Sequence, residues 1–72
     1  MKTFNKNFLR ILIIDKNFSY QRLCNIFKNK YGKNITKSSI SLWLKGKTKP
    51  NIDNLLILSE IFNVSLDSFF QE

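Results

Sequence analysis

Helix-capping residues recur along this chain at short intervals, and they leave little choice of architecture. Ser19, Thr36, Asn51 and Ser65 each stand just before a run of apolar residues spaced three or four apart. That is where a side-chain oxygen can satisfy the free N–H groups of a helix start. Stops interleave with these starts: Asn17, the turn Tyr31-Gly32-Lys33-Asn34, Gly46, the loop Lys47-Thr48-Lys49-Pro50, and Asn63. Gly32 or Asn34 can take the positive φ that such a turn needs. The segments delimited in this way read as five helices. The first carries Phe4, Phe8, Leu9, Ile11, Leu12 and Ile14, with Phe8, Leu9 and Leu12 inward. The second runs from Tyr20 through Phe27 to about Lys30, with Leu23, Ile26 and Phe27 on one face. The third spans Lys37 to about Lys45, with Ile40 and Trp43 inward and Leu44 at either surface or core. The fourth, opened by Asn51, has the apolar set Ile52, Leu55, Leu56, Leu58, Ile61 and Phe62, and a short fifth contains Leu66, Phe69 and Phe70. No stretch alternates with period two long enough to make a sheet. The expected fold is all-α, with five helices in one domain over residues 1–72 and a helix-turn-helix over about 19–45.

Several function classes drop out. The chain has one cysteine, Cys24, and no histidine. It therefore lacks an internal disulfide, and zinc, haem and histidine acid–base chemistry go with it. Asp15, Asp53, Glu60, Asp67 and Glu72 are scattered, and no Gly-rich phosphate loop stands beside them. No enzyme, cofactor or metal site is expected. The apolar run Ile11 to Ile14 is too short for a signal-peptide core or a membrane span, which points to a soluble, cytoplasmic protein with no membrane partner. Cys24 reads as buried and inert, and Trp43 as core rather than a base-stacking platform.

Charge is the informative part of the composition. Twelve Lys or Arg against five Asp or Glu give a net charge of +7. No acid lies between Asp15 and Asp53, while Lys16, Arg22, Lys28, Lys30, Lys33, Lys37, Lys45, Lys47 and Lys49 all do. A one-signed field of this kind attracts a polyanion such as double-stranded DNA, or an acidic protein face. An AT-rich coding bias, which favours Lys, Asn, Ile and Phe, is the competing source of these lysines.

From Ile35 to Phe69 the residues fall into one register: Ile35-Thr36, Ile40-Ser41, Trp43, Gly46-Lys47, Pro50, Leu55-Leu56 and Val64-Ser65-Leu66-Asp67. Leu9, Leu12, Phe18-Ser19 and Leu23 continue it upstream. This pattern resembles the Cro/CI-type, lambda-repressor-like helix-turn-helix family across nearly the whole chain. The stretch from Lys28 to Asn34 makes the connection between the two motif helices about six residues longer than in most members. That elongation of the second helix and turn, which places Lys28, Lys30 and Lys33 beyond the motif, is similar to repressors of temperate phages of lactic acid bacteria. The chain looks most like the small Cro-like antirepressors, or modulators of repression, encoded opposite such repressors.

The resemblance implies where contacts fall. DNA would meet Tyr20 and Gln21 at the start of the second helix, and Lys37, Ser38, Ser39, Ser41 and Leu42 on the third. Lys45, Lys47 and Lys49 would follow beside the phosphates. Helix starts at Ser19 and Thr36 would offer N–H groups to phosphate as well. Members usually present Gln, Arg or Asn to the bases, because these pair bidentately with base edges. Serine is promiscuous and leucine can at best touch a thymine methyl, so this helix is expected to hold DNA through phosphates more than bases. Apolar residues at Ile11, Ile14, Leu42, Leu44, Ile57, Phe69 and Phe70 exceed what a small core takes up and point to a protein interface, with an over-filled core as the plainer account. Two functions follow: an antirepressor that binds a cognate CI-type repressor, or an autonomous Cro-like repressor acting as a homodimer on a palindromic operator.

Overall fold

A computed structural model of the chain describes residues 2–71. In order the elements are β1 (Thr3–Phe4), α1 (Lys6–Asp15), α2 (Tyr20–Tyr31), α3 (Lys37–Lys45), α4 (Ile52–Phe62), a 3-10 helix (Leu66–Phe69) and β2 (Phe70–Gln71). The side-chain oxygens of Ser19, Thr36 and Asn51 accept from the backbone N–H of Arg22, Ser39 and Asn54 at 3.0, 3.1 and 2.9 Å. Each cap of this kind is worth about 1 kcal/mol. Asn5 caps α1 in the same way through the N–H of Phe8. At the other ends Gly32, Gly46 and Asn63 all adopt left-handed backbone, with φ of 67°, 78° and 55°.

The expected fifth α-helix is a single 3-10 turn, so the α-helices number four among the described residues. Ser65 makes no side-chain cap to the backbone there, its Oγ meeting Ser68 Oγ at 2.9 Å instead. After four residues the chain must straighten, because Phe70 and Gln71 pair antiparallel with Phe4 and Thr3. This small sheet joins the two ends of the chain, reinforced by the Asn5 N–H donating to Phe69 O at 2.7 Å.

Inside lie Leu9, Leu23, Phe27, Ile40, Leu58 and Phe69, with no accessible side-chain surface to speak of. Three residues expected on a protein interface are core instead. Leu44 joins Ile40 and Trp43 on the inner stripe of α3, the i+4 position completing the i, i+3 pair. Ile57 lies at one edge of a buried arc on α4 that runs through Ile61, Leu58, Phe62 and Leu55, roughly 160° wide at 100° per residue. Ile52 and Leu56, which belong to that helix's apolar set, fall past the other edge and are exposed. Phe69 plugs the end of the core, edge-on to Phe8 with ring centroids 5.4 Å apart and stacked on Phe4 at 6.4 Å. Phe70, one residue on in β2, is half-buried.

Candidate nucleic-acid interface

The site begins with the placement of α3. Ile40 and Trp43 pack its inner side against α1 and α2, and the Arg10 guanidinium donates to Leu44 O at 2.8 Å. That bond satisfies one of the carbonyls a helix leaves unpaired at its C-terminus, and it puts a cation at the negative end of the helix dipole. Gly46 then turns the chain, with the Lys47 N–H returning to Leu42 O at 3.0 Å. With its inner face held in this way, α3 presents the opposite face outward.

On that face Lys37, Ser38, Leu42 and Lys45 are exposed and Ser41 is half-buried. Ser39 is half-buried too, and its hydroxyl shares a hydrogen bond with Thr36 Oγ1 at 3.1 Å, so it serves the helix cap. Lys47 and Lys49 are exposed on the loop that follows. Tyr20 and Gln21 sit exposed at the start of α2, where Gln21 Nε2 donates to Asn25 Oδ1 at 2.9 Å. Cys24 is half-buried rather than buried. Partial burial pushes its thiol up, with the charge of Lys37 pulling the other way.

The lysines do not form one continuous field. Helix α2 has 12 residues, so its two ends are about 18 Å apart at 1.5 Å per residue. Lys28 and Lys30 occupy its last turn, where they complement the dipole, and Lys33 Nζ lies 3.8 Å from an Asp53 carboxylate oxygen. Those three stand at the far end of α2 from Tyr20 and Gln21. Only the lysines of α3 and its following loop accompany the outward face.

Beside that face is a cleft lined by Arg10, Ile13, Ile14, Tyr20, Ser41, Leu44 and Lys45. Its floor is apolar, its rim carries Arg10 and Lys45, and Ile14 stands 70% exposed at its edge. Ile11, one helical turn earlier on α1, is 60% exposed. Tyr20 and Ile14 belong to different helices, one expected at DNA and the other at a protein partner, and the fold brings them into one cleft. Arg10 was missed; its partner is a backbone carbonyl 34 positions away, which no local spacing signals.

A family profile described as helix-turn-helix matches residues 30–69, more than half of the chain. The chain belongs to that family, in its Cro/CI-type branch. Comparison with curated proteins and with solved structures gave no match. The matched stretch takes in the end of α2, all of α3 and α4, and the 3-10 helix, so it is narrower than the resemblance traced from Leu9 onward. Membership makes the protein a DNA-binding transcription regulator, and no helix among the described residues is long and apolar enough to cross a membrane.

Proposed function

We propose that the protein is a genetic-switch regulator of a temperate phage, acting as an antirepressor that binds and modulates a cognate CI-type repressor, with DNA contact as its second activity. The observation that carries this reading is the chemistry of the outward face of α3. Specific operators are usually bound at least about a thousandfold more tightly than random DNA. That margin comes largely from bidentate pairs worth about 1–3 kcal/mol each. Lys37, Ser38, Ser41 and Leu42 supply few of these, and an apolar cleft holding Ile14 and Tyr20 lies beside them. An apolar floor with cations at its rim suits a protein segment that presents aliphatic side chains flanked by carboxylates.

The exposed lysines at 45, 47 and 49 favour the second reading, a Cro-like homodimer that occupies a palindromic operator by itself. Titrations of the purified protein against operator DNA, against the cognate repressor, and against both together separate the two. The antirepressor reading requires weak or nonspecific DNA binding alone, a discrete complex with the repressor, and altered operator occupancy by that repressor. Nanomolar, sequence-selective binding without the repressor, together with no repressor complex, would leave the Cro-like reading standing.

A further inference from the structure

We propose that Lys2 and Lys6 extend the DNA contact of the α3–α4 loop onto the N-terminal segment, in a second cleft that holds the phosphodiester backbone of duplex DNA. Lys2, Lys6, Lys47 and Lys49 line it together with Asn7 and Thr48. Two of these lysines come from the start of the chain and two from the loop, and folding converges them on one concave surface. No acid is among its described lining residues, and the sole ion pair among the described residues, Lys33 with Asp53, involves neither segment. Four like charges in one cleft repel one another, and a polyanion turns that repulsion into attraction.

Lys6 shows how the site is built. A Cβ on Gly46 would fall 3.2 Å from Lys6 Cδ and 3.3 Å from its Nζ, so the lysine stem lies directly on the glycine. Its ammonium is held beside the loop that carries Lys47 and Lys49. The plainer role for Lys6 is to complement the negative end of α3, which stops at Gly46. A helix end is equivalent to about half an elementary charge, and the cleft also borders the positive end of α1 at Lys6 and Asn7. Those two ends offset each other, and the four lysine charges remain.

The occupant follows from spacing and from neighbours. Duplex DNA carries one negative charge per about 1.7 Å of helix axis, far denser than carboxylates along a polypeptide. Lys45, on the outward face of α3, is followed within four residues by Lys47 and Lys49 of this cleft, so a duplex approached by α3 meets the loop and then Lys6 and Lys2. Its lining is polar and cationic, unlike the apolar floor assigned above to a protein partner. This inference goes beyond the antirepressor reading and does not depend on it.

The test is binding of a random-sequence duplex between 50 and 200 mM salt by the full chain and by Lys2→Gln/Lys6→Gln. The slope of log affinity against log salt falls by about 0.9 for each phosphate no longer neutralised, so a decrease of up to about 1.8 is expected, with about tenfold or more weaker binding at the lowest salt. Circular dichroism checks that the variant keeps its helices. Should Lys6→Gln disturb the fold through Gly46, Lys2→Gln alone, on exposed chain, gives the same reading with a decrease of about 0.9. An unchanged slope in a folded variant overturns the proposal. So does poly-glutamate displacing the duplex at equal charge concentration with the same dependence on Lys2 and Lys6, which makes the cleft a site for any polyanion. Complex formation with the repressor is measured in parallel and stays unchanged in both variants; absence of that complex in the unaltered protein would sink the antirepressor reading and leave the salt slopes as they are.

Discussion

The two clefts beside α3 are built from neighbouring backbone and differ almost completely in chemistry. One has Ile13, Ile14 and Leu44 beneath Tyr20, with cations only at its rim. The other has four lysines, with Phe4 as its one large apolar side chain. Apolar surface stabilises a complex only where water is expelled, at roughly 25 cal/mol per Å² buried, and so it suits a partner with a matching shape. Lysine works at longer range and with water still present, releasing counterions from a phosphate backbone without reading its sequence. A scaffold whose relatives use one face for base reading thus carries two chemistries side by side. Arg10 stands at the boundary, lining the apolar cleft while its guanidinium holds the end of α3 that shapes the other.

The most drastic way to break the comparison is to remove what both clefts share. Trp43 is 5% exposed and fixes α3 against α1 and α2. Trp43→Ala is expected to cost about 3–5 kcal/mol, enough in a domain this small to abolish folding at ambient temperature. DNA binding, and with it the proposed binding of a repressor, then disappears together with the helical circular dichroism signal. A cooperatively folded variant with either activity intact would show that α3 is not anchored through this residue.

Separating the clefts takes gentler changes. Replacing Lys47 and Lys49, which line only the cationic cleft, with Gln lowers the salt slope by about 0.9 for each phosphate left without its lysine, at most about 1.8 in all, and weakens every DNA sequence alike. The repressor complex survives it. Ile14→Ser does the reverse. Ile14 is 70% exposed, so stability moves by about 0.5 kcal/mol or less. If it anchors the repressor, the repressor's affinity falls by about 2 kcal/mol, some thirtyfold, with the DNA salt slope unchanged. Calorimetric titration reads the first quantity and anisotropy the second. Equal loss of both activities in either variant would mean that the two clefts act as one site.

Much of this scaffold was legible in the residues, and little of the second cleft was. Ser19, Thr36 and Asn51 act within three residues of themselves, so the starts of α2, α3 and α4 could be read directly. The same holds for Gly46 and Asn63 at helix ends. Asn5 escaped notice because the apolar residue Phe4 just before it looked like part of the helix. Pairing of Thr3 with Gln71 spans almost the entire chain and is only two residues long, so no alternation announces it. Lys2 and Lys6 were passed over for the same reason: they reach Lys47 and Lys49 through tertiary closure alone. Ile57 and Phe69 read as interface residues, and Leu44 as either interface or core, because a count of apolar residues gives no direction. Which side of α4 is buried depends on helices around it, and that arc proved wide enough to take Ile57 while leaving Ile52 and Leu56 outside.

The smallest predicted effect lies at the far end of α2 and sharpens the contrast by exclusion. Tyr31 there donates its hydroxyl to Glu60 Oε1 at 3.3 Å, tying α2 to α4. Desolvation raises its pKa above the ordinary value, and the charge of Glu60 and the hydrogen bond to it raise it further. Since the phenol is harder to ionise in the folded chain than in the unfolded one, the folded state holds more protons once pH passes the unfolded value near 10. The stabilisation is therefore fully present below about pH 10 and is lost as pH rises through the folded value. Tyr31→Phe removes the hydrogen bond of a half-buried side chain, a change of about 0.5–1 kcal/mol near neutral pH. It also removes this residue's part of the alkaline decline. Urea midpoints of the two proteins should differ near pH 8 and draw together as pH rises through the folded value of Tyr31. A constant gap across that range would show that Tyr31 ionises equally easily in both states. Both clefts lie at the other end of α2 or beyond it, so this variant should leave repressor affinity and the DNA salt slope untouched, and a shift in either would mean that the elongated end of α2 belongs to a binding surface.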